Sequence, residues 1–205
     1  MLNKSAISFV RLLEKHYKIS HEERSIYIYG FELLLSTLSS MTSILFMSLL
    51  INKISYAISF FVVFFVLRLF SGGYHANTYL KCFITTNTIF ISTILLTKLS
   101  LLFQVEWIMP TLVIISTVII WLFSPIKNQN HPCSEKTYIK NKKRSRILSL
   151  LYSIVFFYIY YFTSLNEIAI HSAWSLIIVS IMIIIEKLIL TKEVKNSEYY
   201  QFNDC

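Results

Sequence analysis

Glycine is nearly absent from this chain: there are 3 in 205 residues, and two of them, Gly72 and Gly73, are adjacent. A chain so poor in glycine does not place such a pair between two long apolar runs by composition alone. The pair marks a backbone that must turn sharply or be approached closely. Charge is scarce as well, 15% of residues against 55% hydrophobic. A soluble globule of this length needs more charge to cover its surface, so the balance excludes that class and points to a bilayer. Cysteine is limited to Cys82, Cys133 and Cys205, an odd count without paired spacing that excludes a disulfide framework. Acidic residues number 11 against 19 Lys and Arg, a net charge of +8. No basic stretch stands apart from the apolar runs, so nucleic acid is not the partner this charge suggests; in a polytopic membrane protein it collects on cytoplasmic loops. The first thirty residues carry Glu14, Glu22 and Glu23 and lack the apolar core and cleavage site of a signal peptide.

What the chain does have is apolar runs of bilayer length. Spans are expected near residues 31–51, 54–70, 83–103, 107–123, 147–165 and 168–190, each close to the ~20 residues a hydrocarbon core demands. The fold class is therefore an all-α membrane protein, a single domain over 1–205 with about six transmembrane helices. Residues 1–30 form an N-terminal amphipathic segment, 31–190 the bundle and 191–205 a cytoplasmic tail. Ala6, Phe9, Val10, Leu13 and Tyr17 recur at spacings of three and four, which suits a helix lying in the interface or packed on the spans. The third span is the most polar, with Thr85, Thr86, Asn87, Thr88, Ser92 and Thr93. Such groups either face a protein interior or bond back to their own helix. Counted across alternate connections, 17 of the 19 Lys and Arg fall on one side of the six-span model. By the positive-inside rule both termini are cytoplasmic, and so is the Gly72-Gly73 connection between spans two and three. All three cysteines then lie on the reducing side.

The stretch Arg68-Leu69-Phe70-Ser71-Gly72-Gly73-Tyr74-His75-Ala76-Asn77-Thr78-Tyr79-Leu80-Lys81-Cys82 holds the residue types of a thiolate nucleophile and its base. On an unbroken helix His75 and Cys82 would share a face but stand about 10 Å apart along the axis. An irregular re-entrant turn over 71–77 would let His75 fold back toward Cys82, with the third span starting near Asn77 or Thr78, both good N-caps. Cys82 then lies in the first turns of a helix, where the dipole favours an anion. His75, of a type that titrates near ~6.5, can take the thiol proton and return it to a leaving amine. Free N–H groups at Gly72, Gly73 or the helix start are oxyanion candidates. Arg68 can snorkel to the interface, and Asn77 and Thr78 are the candidates for a third, orienting group.

Arg68-x-x-x-Gly72-Gly73-Tyr74-His75-Ala76, with Cys82 seven residues beyond the histidine, resembles the accessory gene regulator B (AgrB-like) family of membrane cysteine endopeptidases of Gram-positive bacteria. The basic region Lys127-Asn128-Gln129-Asn130-His131-Pro132, followed by Ser134-Glu135 and Lys140-Asn141-Lys142-Lys143-Arg144, resembles it too. The likeness covers nearly the whole chain. It implies that His75 and Cys82 are the catalytic pair and that the substrate is a small AgrD-like precursor. The enzyme would remove the precursor's C-terminal tail and support closure of a thiolactone or lactone ring, giving a quorum-sensing autoinducing peptide. The basic region is expected to attract anionic lipid, and Lys140, Lys142, Lys143 and Arg144 are candidates for steering an acidic precursor tail. His131 and Cys133 stand where the family more usually has aliphatic or basic residues. The proline between them and the lack of a close Cys–Cys pair argue against a zinc set with His75 and Cys82, so no metal or cofactor is expected. His16, His21 and His171 read as interfacial. The competing class is a small membrane transporter or peptide exporter without peptidase activity. It accounts for the polar third span and leaves the Gly-Gly-His-Cys stretch unexplained. A bundle this small also admits a homodimer.

Overall fold

A computed structural model describes residues 2–14, 21–72, 78–126 and 135–203. Those residues are overwhelmingly helical, and six helices are long and apolar enough to cross a membrane. In chain order α1 is Leu2–Glu14, α2 His21–Leu50, α3 Ile54–Ser71, α4 Tyr79–Leu102, α5 Met109–Phe123, α6 Glu135–Phe162 and α7 Asn166–Asn203. The spans are Glu23–Leu50, Ile54–Ser71, Tyr79–Leu102, Glu106–Phe123, Glu135–Phe162 and Asn166–Thr191.

The helices agree in number with the apolar runs but are longer at several ends. Leu50 and Ser71 end α2 and α3 close to expectation, whereas α6 begins at Glu135, twelve residues before the apolar run at 147. Hydrophobicity reports only the part of a helix inside the hydrocarbon, while backbone hydrogen bonding carries the helix on into the polar layer. In the N-terminal segment Leu2–Glu14 forms a separate helix, and residues from His21 onward belong to the first span's helix.

Two short connections close by the same device. Asn52 and Gln104 adopt φ of 54° and 52° just past α2 and α4. Lys53 N–H donates to Ser48 O at 2.9 Å, and Val105 N–H to Ser100 O at 3.0 Å. These bonds across the last turn satisfy carbonyls that a helix end leaves open, and they reverse the chain within three residues.

By contact the chain falls into two compact units. One is drawn from Met1–Ile54 and His75–Ile91, the other from Ser55–Tyr74 and Ser92–Cys205. In the first, α1 packs along α2. Ala6 and Val10 are fully buried, Phe9 stacks on Phe31 at 5.6 Å, and Arg24 pairs with Glu14 at 2.8 Å. The apolar periodicity of α1 is thus used against α2. The buried face of α2 is Ser36, Ser40, Ile44 and Ser48, one residue per turn.

In the second unit α7 is the central helix; 61% of its most apolar window is buried, against 39% or less for the other spans. Its neighbours meet it through small polar residues. Ser180 bonds Ser116 at 3.2 Å, while Thr117 meets Ser153 and Ser124 donates to Ser145 at 2.8 Å between α5 and α6. Lipid tails are as apolar as leucine, so membrane helices associate through close packing of small residues and interhelical hydrogen bonds instead. The middle of α3, Phe61–Phe65, winds as a π-helix. A π turn frees a carbonyl from the α-helical ladder, and the Tyr152 hydroxyl donates to Val62 O there.

Candidate active site

The turn begins where the scarce glycines predicted it. Gly72 ends α3 with φ +69° and ψ −149°, a conformation that a side chain rarely tolerates. A Cβ at this position would lie 3.1 Å from Ile126 O. Ile126 N–H in turn donates to Ser71 O at 3.2 Å. Gly72 therefore meets both demands inferred from composition, a sharp turn and a close backbone approach. Its N–H already donates to Arg68 O at 3.2 Å, which corrects the expectation that it stands free as an oxyanion donor. Gly73, His75 and Asn77 lie outside the described residues.

The chain re-enters helix at Tyr79, capped by Thr78. Lys81 N–H donates to Thr78 Oγ1 at 3.3 Å, the side-chain cap on the third residue of a helix, and Cys82 N–H donates to Thr78 O at 3.0 Å. Thr78, one of the two N-caps expected, caps the helix. Cys82 thus stands in the second turn of α4, half-buried, with a free thiol. Three residues earlier, the Tyr79 hydroxyl donates to Glu32 Oε2 of α2 at 2.8 Å. That bond fixes the first turn of α4 against α2.

The polar residues of α4 do both things expected of them. Thr86, Asn87, Thr93, Thr97 and Ser100 are buried along one face. Asn87 Nδ2 donates back to Phe83 O at 2.8 Å, and Thr97 back to Thr93 O at 2.7 Å. Asn87 Oδ1 is buried and has no donor among the described residues.

Arg68 is half-buried. Its guanidinium lies 5.5 Å from the Phe64 ring centroid, and Nη1 is 3.7 Å from Met182 Sδ. The basic region is also reshaped, since from Glu135 onward it is helix rather than loop. Lys140, Lys143 and Arg144 are exposed and Lys142 is half-buried. Arg144 covers Phe70 at 5.3 Å, and Arg146 covers Trp121 at 4.9 Å while donating to Trp121 O at 3.0 Å. The arginines therefore anchor helix ends on aromatic rings, and the three lysines make up the freer charge. His131 and Cys133 lie outside the described residues; no cluster of three or more His, Cys, Asp or Glu able to hold a metal occurs among the described ones.

His171, expected at the interface, is fully buried in the second unit. Its ring stacks on Tyr56 at 4.3 Å, Nδ1 is 2.9 Å from Ser59 Oγ, and Nε2 is 3.2 Å from Thr93 Oγ1. Ser59 also donates to Tyr56 O at 3.0 Å. The Tyr56 hydroxyl donates to Glu167. This set joins α3, α4 and α7, and the only trace of it in the sequence is a histidine inside an apolar run.

The family model described as Accessory gene regulator B matches residues 6–188. No curated protein and no solved structure matches the chain.

Proposed function

The chain belongs to the accessory gene regulator B family, and on that footing we propose that it is a membrane cysteine endopeptidase whose nucleophile is Cys82 and whose base is His75. Membership carries involvement in agr quorum-sensing peptide processing, with an AgrD-like precursor as the associated peptide. The observation that carries the finer reading is the position of Cys82. It is a free, half-buried thiol one turn beyond a capped helix start, entered from a glycine that leaves its helix in a conformation few other residues hold.

In this reading the Cys82 thiol gives its proton to His75, and the thiolate attacks the carbonyl carbon at the cleavage point. The C–N bond breaks, and the imidazolium returns the proton to the departing amine of the C-terminal tail. The remaining peptide is then a thioester on Cys82. A thiol within the peptide displaces Cys82, forming the ring thioester and restoring the enzyme thiol; a peptide hydroxyl would give a lactone. Exchange of one thioester for another is nearly balanced in free energy, whereas hydrolysis runs strongly downhill. The site must therefore exclude water and hold the internal nucleophile near the acyl carbon. The turns of α4 just inside the membrane suit that need.

The Lys and Arg asymmetry supports cytoplasmic termini and a cytoplasmic site. Lys140, Lys142 and Lys143 would draw anionic lipid and an acidic precursor tail to that surface.

The test uses a precursor whose ring-forming residue is replaced by alanine, incubated with the full-length protein in lipid. A linear tail-less peptide, or a peptide adduct on Cys82 detected by intact mass, is expected. Normal cyclic product from that precursor would overturn the thioester route.

A further inference from the structure

Within the first unit, α2 and the start of α4 border an open groove of about 470 Å³ lined by Ser39, Thr42, Ser43, Phe46 and Phe83. We propose that this groove is the subsite for the acyl side of the peptide, the segment N-terminal to the cleaved bond, while that segment is joined to Cys82. The inference rests on the peptidase reading and names where the substrate lies.

Phe83, on the α4 wall of the groove, is the residue after Cys82, so that wall begins within one residue of the nucleophile, about 100° round the helix from it. The Tyr79–Glu32 hydrogen bond pairs the first turn of α4 with the part of α2 about two to four turns before the groove residues. From there α2 carries Ser39, Thr42, Ser43 and Phe46 further into its span. From the α4 residue next to Cys82 the groove runs along α2 toward the hydrocarbon layer, where water is scarce.

The lining carries hydroxyls. Ser39 and Thr42 are exposed and Ser43 half-exposed in the middle of a membrane helix, and Phe46 is 62% exposed. Thr42 Oγ1 donates back to Leu38 O at 2.9 Å, but the Ser39 and Ser43 hydroxyls make no hydrogen bond among the described residues. Lipid offers such hydroxyls nothing. An extended peptide offers N–H and C=O groups that have no partner in hydrocarbon, and a hydroxyl can serve either. Phe46 and Phe83 give apolar side chains a surface between them.

The occupant is a short extended peptide with open amides and an apolar side chain, held where ring closure needs dryness.

The test places a benzoylphenylalanine photo-crosslinker at position 46 in the full-length protein, co-expressed with its precursor, and maps the adducts by mass spectrometry. Alongside, S39A/S43A is compared with wild type for processing and for alkylation of Cys82 by iodoacetamide. Adducts on the precursor N-terminal to the cut, and kcat/KM lowered about tenfold with the alkylation rate unchanged, are expected. Adducts only on lipid or on a second copy of the chain, or processing by S39A/S43A at the wild-type rate, would overturn the subsite while Cys82-dependent cleavage still stands. Processing that persists in Cys82→Ser would contradict the peptidase reading itself, and the acyl-side assignment with it.

Discussion

The Tyr79 hydroxyl donates to the Glu32 carboxylate at 2.8 Å, tying the turn before Cys82 to the first membrane span. A hydrogen bond to a carboxylate is worth about 1.5–3 kcal/mol, and this one also sets where the thiol stands against α2. Tyr79→Phe should lower thermal stability in detergent modestly and processing more, because positional error at a nucleophile costs more than the bond itself. Processing that falls only in step with the folded fraction would reduce Tyr79 to a stability role.

Gly72→Ala should be the most damaging small substitution in the α3–α4 connection. The added Cβ meets Ile126 O at 3.1 Å, and φ of +69° strains any L side chain. A cost of about 1–3 kcal/mol is expected, read as a lowered Tm together with lost processing. Alanine at Gly30, inside α2 and with nothing within 4 Å of its Cβ, serves as the control and should leave processing unchanged and Tm unchanged or slightly raised.

His171→Ala removes the ring under Tyr56 and withdraws partners from Ser59 and Thr93. Opening that volume and unsettling two hydroxyls should cost about 2–4 kcal/mol. His171→Gln, which keeps one donor and one acceptor, should recover part of the loss. Unchanged thermal unfolding in His171→Ala would mean that the buried set contributes nothing to holding α3, α4 and α7 together.

Neutralising Lys140, Lys142 and Lys143 together to Gln should raise KM for an acidic precursor and flatten its dependence on salt, since surface charges act over about 8–10 Å at physiological ionic strength. Kinetics that keep their salt dependence would leave these lysines only a topological and lipid-binding part.

The number of spans could be read from the sequence because a bilayer imposes a length on apolar runs. The turn at Gly72 was visible because glycine is rare enough for its position to mean something, and the cap at Thr78 because the hydroxyl stands just before a helical run. Helix ends were less visible. Charged residues such as those of 135–146 continue a helix that hydropathy cannot see. The His171 set and the Tyr79–Glu32 bond were not visible at all. Their partners lie 47 to 112 residues apart, and nothing in a single sequence gives the rotation of one helix against another. The groove beside Phe83 was hidden for the same reason: Ser39, Thr42 and Ser43 look like ordinary span residues until α4 is laid against them.

The most direct measurement of the central claim is co-expression of the full-length protein with its short peptide precursor, with mass spectrometry comparing wild type, Cys82→Ser and His75→Ala. The account predicts a tail-less or cyclised fragment with the wild type and uncut precursor with either variant. Processing that survives Cys82→Ser would contradict it, and the transport reading would then take its place.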